Sequence, residues 1–186
     1  TVGTIDVSSQ NITDLTGIED FSALTRLYCS GNQLANLDVS NNTALTILDC
    51  GYNQLGSIDV SNNTALESLS CRYNQLTHLD VSANTAIEYL LCNNNQLTSL
   101  DLTSNSILNS LRASNNQIFG ELDLSNCSFS SDGLIRCNDN LLTAVYFPDS
   151  VSVWEIRLQN NNIDSINFSN VSDVSVNRYI YLYNNN

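Results

Sequence analysis

The sequence contains no lysine and no methionine, and only one proline, one tryptophan and one histidine. All six basic residues are arginines; 19 acidic residues oppose them, for a formal net charge of −13. So acidic a surface repels phosphate backbones, so nucleic acid is not an expected partner. No stretch approaches the roughly 18 consecutive apolar residues of a membrane span, so no membrane insertion is expected. No charged-then-apolar targeting segment opens the chain; any such segment is expected to have been removed or to lie outside it. The lone His78 sits in QLTHLDV, where other copies of the same pattern carry Asn36, Ser57 and Ser99. It has no second histidine to share a metal and no partner for a Cys-His pair. There is no Gly-rich phosphate loop. Carboxylates recur only as repeat-spaced columns, a poor signal for acid-base chemistry. The chain is therefore expected to be no enzyme and to need no cofactor.

What is present is repetition. LYCSGNQLANLDVSNNTALTI (27–47) is followed by LDCGYNQLGSIDVSNNTALES (48–68) and LSCRYNQLTHLDVSANTAIEY (69–89). The shared frame LxCxxNxLxxLDVSxNTAL recurs every 21 residues and varies at two or three slots. Hydrophobic residues make up 42% of the chain and recur in phase, which excludes a disordered composition.

Six cysteines would suggest a disulfide framework, but their spacing argues for something else. Cys29, Cys50, Cys71 and Cys92 occupy one slot of the repeat, which later holds Ala113, Cys137 and Leu158. A slot that accepts Cys, Ala and Leu is small and apolar, so these are read as buried free thiols; pairing between neighbouring coils is the lesser reading. Cys127, in SNCSFSSDG, falls outside that slot.

Leu24, Leu27, Cys29, Asn32, Leu34 and Leu37 fill the leucine-rich repeat pattern LxxLxLxxNxL in order. The asparagine slot holds Asn32, Asn53, Asn74, Asn95, Asn116, Asn140, Asn161 and Asn185. Each coil turns sharply after its strand, and a buried amide there can pair backbone groups of its own and the adjacent coil. On these motifs the chain resembles bacterial cell-surface leucine-rich repeat proteins, broadly internalin-like. NITDLTGIEDFSALTRL (11–27) is similar to an internalin-type 22-residue repeat. The LDVSNNTAL half is similar to surface repeats of Gram-negative gut and marine bacteria and of some Gram-positive ones. The resemblance implies a leucine-rich repeat solenoid at the cell surface or outside the cell: a parallel β-sheet on the concave face, short extended segments and turns on the convex side, little or no helix, and shallow curvature.

Nine strand slots are expected, at 5–7, 27–29, 48–50, 69–71, 90–92, 111–113, 135–137, 156–158 and 180–182, in a single solenoid over residues 1–186. At about 4.8 Å per coil the sheet would be roughly 40 Å long. Extra residues near Phe119–Gly120, Ser128–Gly133 and Val171–Asn177 are expected to bulge from the convex side or its edges. Ile5 starts a strand without an evident cap and YLYNNN stops in mid-repeat, so a piece of a longer protein, or ends covered by something else, is expected.

In a strand LxC the intervening residue faces outward. Five of the six arginines and seven of the eight tyrosines fall in or beside these outward slots. The candidate contact residues are Tyr28, Tyr52, Arg72, Tyr73, Tyr89, Arg112, Arg136, Arg157 and Tyr181, with Trp154 adjacent. Arg and Tyr are enriched at binding hot spots. Arg112, Arg136 and Arg157 would stack on successive strands, a like-charge column that is unfavourable unless an anionic partner answers it. The expected function is recognition or adhesion through this face, with a protein or carbohydrate partner, a host-derived one among the candidates. Alternatives are a structural spacer in a larger surface protein and, more weakly, ice binding by the exposed ladder Thr43, Thr64, Thr85. A convex column of Asp38, Asp59, Asp80, Asp101 and Asp123 is read as turn capping, with calcium ligation between coils as the lesser reading.

Overall fold

The computed structural model describes residues 2–164, 166 and 173–186, with backbone only over 173–178. Strands β1 (Thr4–Asp6), β2 (Arg26–Tyr28), β3 (Ile47–Asp49), β4 (Ser68–Ser70), β5 (Tyr89–Leu91) and β6 (Ser110–Arg112) follow one another at the repeat spacing. They are continued by β7 (Phe119–Asp123), β8 (Leu134–Arg136), β9 (Leu141–Tyr146), β10 (Ser150–Arg157) and β11 (Asp173–Tyr181). Nine of these form one parallel sheet in the order β1-β2-β3-β4-β5-β6-β8-β10-β11. The only helix among the described residues is a single 3₁₀ turn at Ile18–Asp20. The molecule is a leucine-rich repeat solenoid.

The register follows from the repeat. Ile5, Leu27, Leu48, Leu69, Leu90, Leu111, Ile135, Ile156 and Ile180 are successive partners across the sheet. Strands β1–β6 and β8 each lie one residue earlier than the expected slot, while β10 and β11 begin six and seven residues earlier and end one residue earlier. The apolar residue stays central and the inward Cys falls just beyond the ladder, at the start of the turn. Leu27, Leu48, Leu69 and Leu90 are completely buried, as are Cys29, Cys50, Cys71 and Cys92. Burial of each leucine contributes roughly 1.5–3 kcal/mol, so the repeat sums to a continuous core. All six cysteines are free thiols, without disulfides.

Two insertions do not bulge as expected. Residues 119–123 pair in parallel with Leu141–Tyr146, forming a separate two-stranded sheet with a register shift between Gly120 and Glu121. The alternating apolar residues Leu122, Leu142 and Val145 give that sheet a buried face, so added length here is absorbed as strand. Residues 173–177 extend the main sheet, pairing with β10 from Ser150↔Asp173 onward; Val171 and Ser172 lie outside the described residues. Around Ser128–Gly133 the chain does form a turn, closed by Gly133 N donating to Ser130 O at 2.8 Å.

The asparagine slot does what the turn requires. Asn95 Nδ2 donates to Cys71 O and Cys92 O, both at 3.0 Å, and its Oδ1 accepts the Leu76 N–H at 3.0 Å. The same set recurs at Asn53, Asn74, Asn116, Asn140 and Asn161. Each cysteine carbonyl of the thiol column is shared by two asparagines: Cys71 O also accepts from Asn74 Nδ2 at 3.0 Å.

A second asparagine ladder on the opposite side was not anticipated. Asn42, Asn63, Asn84 and Asn105 are completely buried. Asn63 Nδ2 donates to Val39 O at 2.9 Å and Asn42 O at 3.0 Å, linking consecutive turns, and the others repeat this. Cys127 occupies the equivalent place. Its N–H donates to Leu124 O at 3.0 Å just as Asn42 N–H donates to Val39 O. The odd cysteine thus belongs to this ladder rather than to the thiol column.

Candidate functional site

After each strand the chain turns through a residue with positive φ. In the nine-stranded sheet that slot is filled by Ser9, Gly31, Tyr52, Tyr73, Asn94, Asn115, Asp139, Asn160 and Asn184. Gly, Asn and Asp tolerate this region; a bulky side chain there costs roughly 1–2 kcal/mol. Tyr52 and Tyr73 nonetheless hold φ 53°. Their rings stack at a 4.3 Å centroid separation, 10° from parallel, and stay 48% and 43% exposed. The stacking returns about 0.5–1.5 kcal/mol, no more than the backbone loses. Arg72 lies over the Tyr52 ring at 5.4 Å.

These rings open a depression of about 380 Å³ on the strand face. Of the nine candidate contact residues, Tyr52, Arg72, Tyr73, Arg112, Arg136 and Arg157 line it. Tyr181 sits next to it, with Arg157 over its ring at 5.2 Å, and meets Tyr179 at a tilt and Tyr183 edge-on. Tyr28, half-buried on β2, and Tyr89, exposed on β5, lie on the same face but outside the depression.

The arginine column is not a bare like-charge stack. Glu155, 4% exposed, accepts from Arg136 Nε at 2.7 Å and from Arg157 Nη2 at 2.9 Å. Burial pushes its carboxyl up, but the hydrogen bonds from Arg157 and Arg136 outweigh that and leave it below the usual carboxylate range. Glu155 was missed as a site residue. Two signals were available: it precedes Arg157 by two on one strand, hence on the same face, and it lies diagonally beside Arg136 on the next. Arg112 differs from its neighbours: no ion pair to it is present among the described residues. Burial, then the charges of Arg136 and Arg72, press its guanidinium below the ordinary arginine value. Arg72 Nε and Ser70 Oγ, both buried, have no hydrogen-bond partner.

The remaining candidates resolve as local structure. Asp38, Asp59, Asp80, Asp101 and Asp123 each accept, through Oδ1, the backbone N–H two residues on, at 2.8–2.9 Å. They cap turns, and for the first four these hydrogen bonds hold the carboxyl below its usual value. Thr43, Thr64 and Thr85 are exposed. Burial pushes the thiols up, Cys29 and Cys137 to about 12 and Cys127 to about 11. None of them is an activated nucleophile.

No protein-family model and no curated protein matches the chain. Solved leucine-rich repeat structures do. The functional domain of InlJ from Listeria monocytogenes, described as including a cysteine ladder, is 26% identical, with a TM-score of 0.66 over 97% of this chain and 53% of that one. Internalin C2 from the same species is 20% identical, with a TM-score of 0.76 over 99% of this chain and 80% of that one. A chain of the LRIM1/APL1C complex is 20% identical, with a TM-score of 0.76 over 99% of this chain and 40% of that one. The chain thus spans about half the length of the InlJ domain. The column Cys29, Cys50, Cys71, Cys92, broken at Ala113 and resumed at Cys137, is likewise a cysteine ladder.

Proposed function

We propose that this solenoid is a non-catalytic recognition module, carried outside the cell or at a bacterial surface, whose strand face grips a protein or glycan partner. The observation that carries this reading is the convergence of Arg72, Arg112, Arg136 and Arg157 with the Tyr52–Tyr73 stack in one depression of a chain with a net charge of −13. Four of the six arginines meet here, and this concentration of arginine and exposed aromatic rings singles out one contact surface. The likeness to internalins, and to a chain found in a two-protein complex, supports a binding role for the fold. We read the chain as one array of about nine coils.

The reading is tested by screening the purified chain against protein and glycan arrays and repeating the capture with an Arg112→Ser, Tyr73→Asn double variant. Loss of at least tenfold in affinity, with an unchanged melting temperature, is expected. A ligand held equally well by both proteins would move the contact surface elsewhere and overturn the proposal.

A further inference from the structure

Resting on that reading, we infer that the depression takes an acidic oligosaccharide, with a sugar ring against Tyr73 and a carboxylate or sulfate on Arg112. Three independent features converge on this chemistry.

The first is the aromatic wall. Tyr73 is covered by Tyr52 on one side. The next positive-φ slots along the coil axis hold Asn94 and Asn115, whose shorter side chains leave the other side of the stack open. A flat ring face ending a stack, held by a backbone geometry that suits tyrosine poorly, is a platform for the C–H face of a pyranose. An apolar protein anchor would need an apolar socket, and beyond the two rings the lining is amide, hydroxyl and guanidinium.

The second is charge. Four arginines line the depression, and Glu155 answers Arg136 and Arg157. Arg72, over the Tyr52 ring, and Arg112 have no ion pair among the described residues, and the positive charge of Arg112 is left for an anion from outside. Arg112 stands two strands beyond β4, which leads into Tyr73, a separation of about 10 Å at the usual strand spacing. Ring platform and cation are therefore spaced for a short chain of sugars rather than for one small anion.

The third is unsatisfied polarity. Arg72 lines the depression, and its buried Nε lacks a hydrogen-bond partner. Buried donors are normally paired, and an orphan donor beside a depression points to a ligand that completes it. Asn93, Asn94 and Asn115 in the lining offer both donors and acceptors, which suits vicinal hydroxyls. At about 380 Å³ the space falls in the range of small-ligand sites.

The test is calorimetric titration of the chain with four probes of matched length: an oligogalacturonate, its carboxyl-reduced neutral counterpart, a sulfated galactan oligomer and a glutamate-rich peptide. The acidic saccharides are expected to bind at least tenfold tighter than the neutral one, and which acid binds better identifies the anion. Arg112→Ser should reduce the preference for charge, whereas Tyr73→Asn should weaken charged and neutral sugars alike. Equal binding of charged and neutral saccharides, indifference to Tyr73→Asn, or no saccharide binding at millimolar concentration would each overturn the inference. If the peptide alone binds, and Arg112→Ser abolishes it, the contact surface stands and only the saccharide assignment falls. Saccharide binding untouched by both substitutions would refute the contact surface itself.

Discussion

Asn95 is the place where the fold can be tested most directly. Replacing it with alanine removes three hydrogen bonds, to Cys71 O, Cys92 O and the Leu76 N–H. The three losses are unequal. Cys71 O keeps its bond from Asn74, and Cys92 O keeps the one from Asn116 at 3.1 Å. Each carbonyl therefore loses one of two partners, about 0.5–1.5 kcal/mol apiece. The Leu76 N–H has no substitute and bears the full desolvation penalty of about 1–3 kcal/mol. The total is roughly 2–6 kcal/mol, which at about 2–4 °C per kcal/mol for a domain of this size lowers the melting temperature by at least about 4 °C. Thermal and urea unfolding, followed by far-ultraviolet circular dichroism, would measure it. Gln96→Ala, at an exposed neighbour, serves as the control and should stay within about 0.5 kcal/mol. Asn95→Asp should be worse than alanine: it keeps the acceptor for Leu76 but sets a buried negative charge against two carbonyls. A loss below about 1 kcal/mol in Asn95→Ala would mean that the shared carbonyls do not hold adjacent coils together.

Three other outcomes are expected. Ellman's reagent should find no reactive thiol in the native protein at pH 8 and six after denaturation, because every cysteine is buried and protonated; fast reaction at any of them in the folded state would contradict that burial. Glu155→Gln should cost about 1–3 kcal/mol at pH 7 by leaving Arg136 and Arg157 unanswered. The Glu155 carboxyl titrates below its unfolded value of about 4.3, so its contribution is complete above that pH and is lost as pH falls through the folded value. The stability gap between wild type and variant should therefore close in acid, and a gap that persists there would rule out the ion pair as its cause. Tyr73→Asn should leave stability within about 1 kcal/mol, since relief of positive-φ strain offsets the lost stack; a drop above about 2 kcal/mol would make Tyr73 a structural residue rather than one kept for contact.

The central row of the sheet, the thiol column and the first asparagine ladder were all legible in the sequence. Each occupies one slot of a 21-residue period, and a slot that recurs with one chemistry fixes its environment. The second ladder was equally visible in the letters at Asn42, Asn63, Asn84 and Asn105. It lay in an Asn-rich stretch where polarity suggests exposure, and the side chains are in fact fully buried. The insertions were legible as added length but not as structure. Whether extra residues loop out or lengthen a strand depends on what the neighbouring coil offers to pair with, as β9 offers β7.

By itself the sequence determined the solenoid, its register and which residues share the strand face, because each of these follows from a period acting between adjacent coils. The tertiary structure decided what those shared-face residues do to one another. Glu155 pairs with Arg136 and Arg157 and leaves Arg112 without an ion pair, and Tyr52 and Tyr73, each on its own positive-φ turn, meet as a stack. Such pairings rest on side-chain reach and angle across strands, within distances of a few ångströms that a repeat period does not encode.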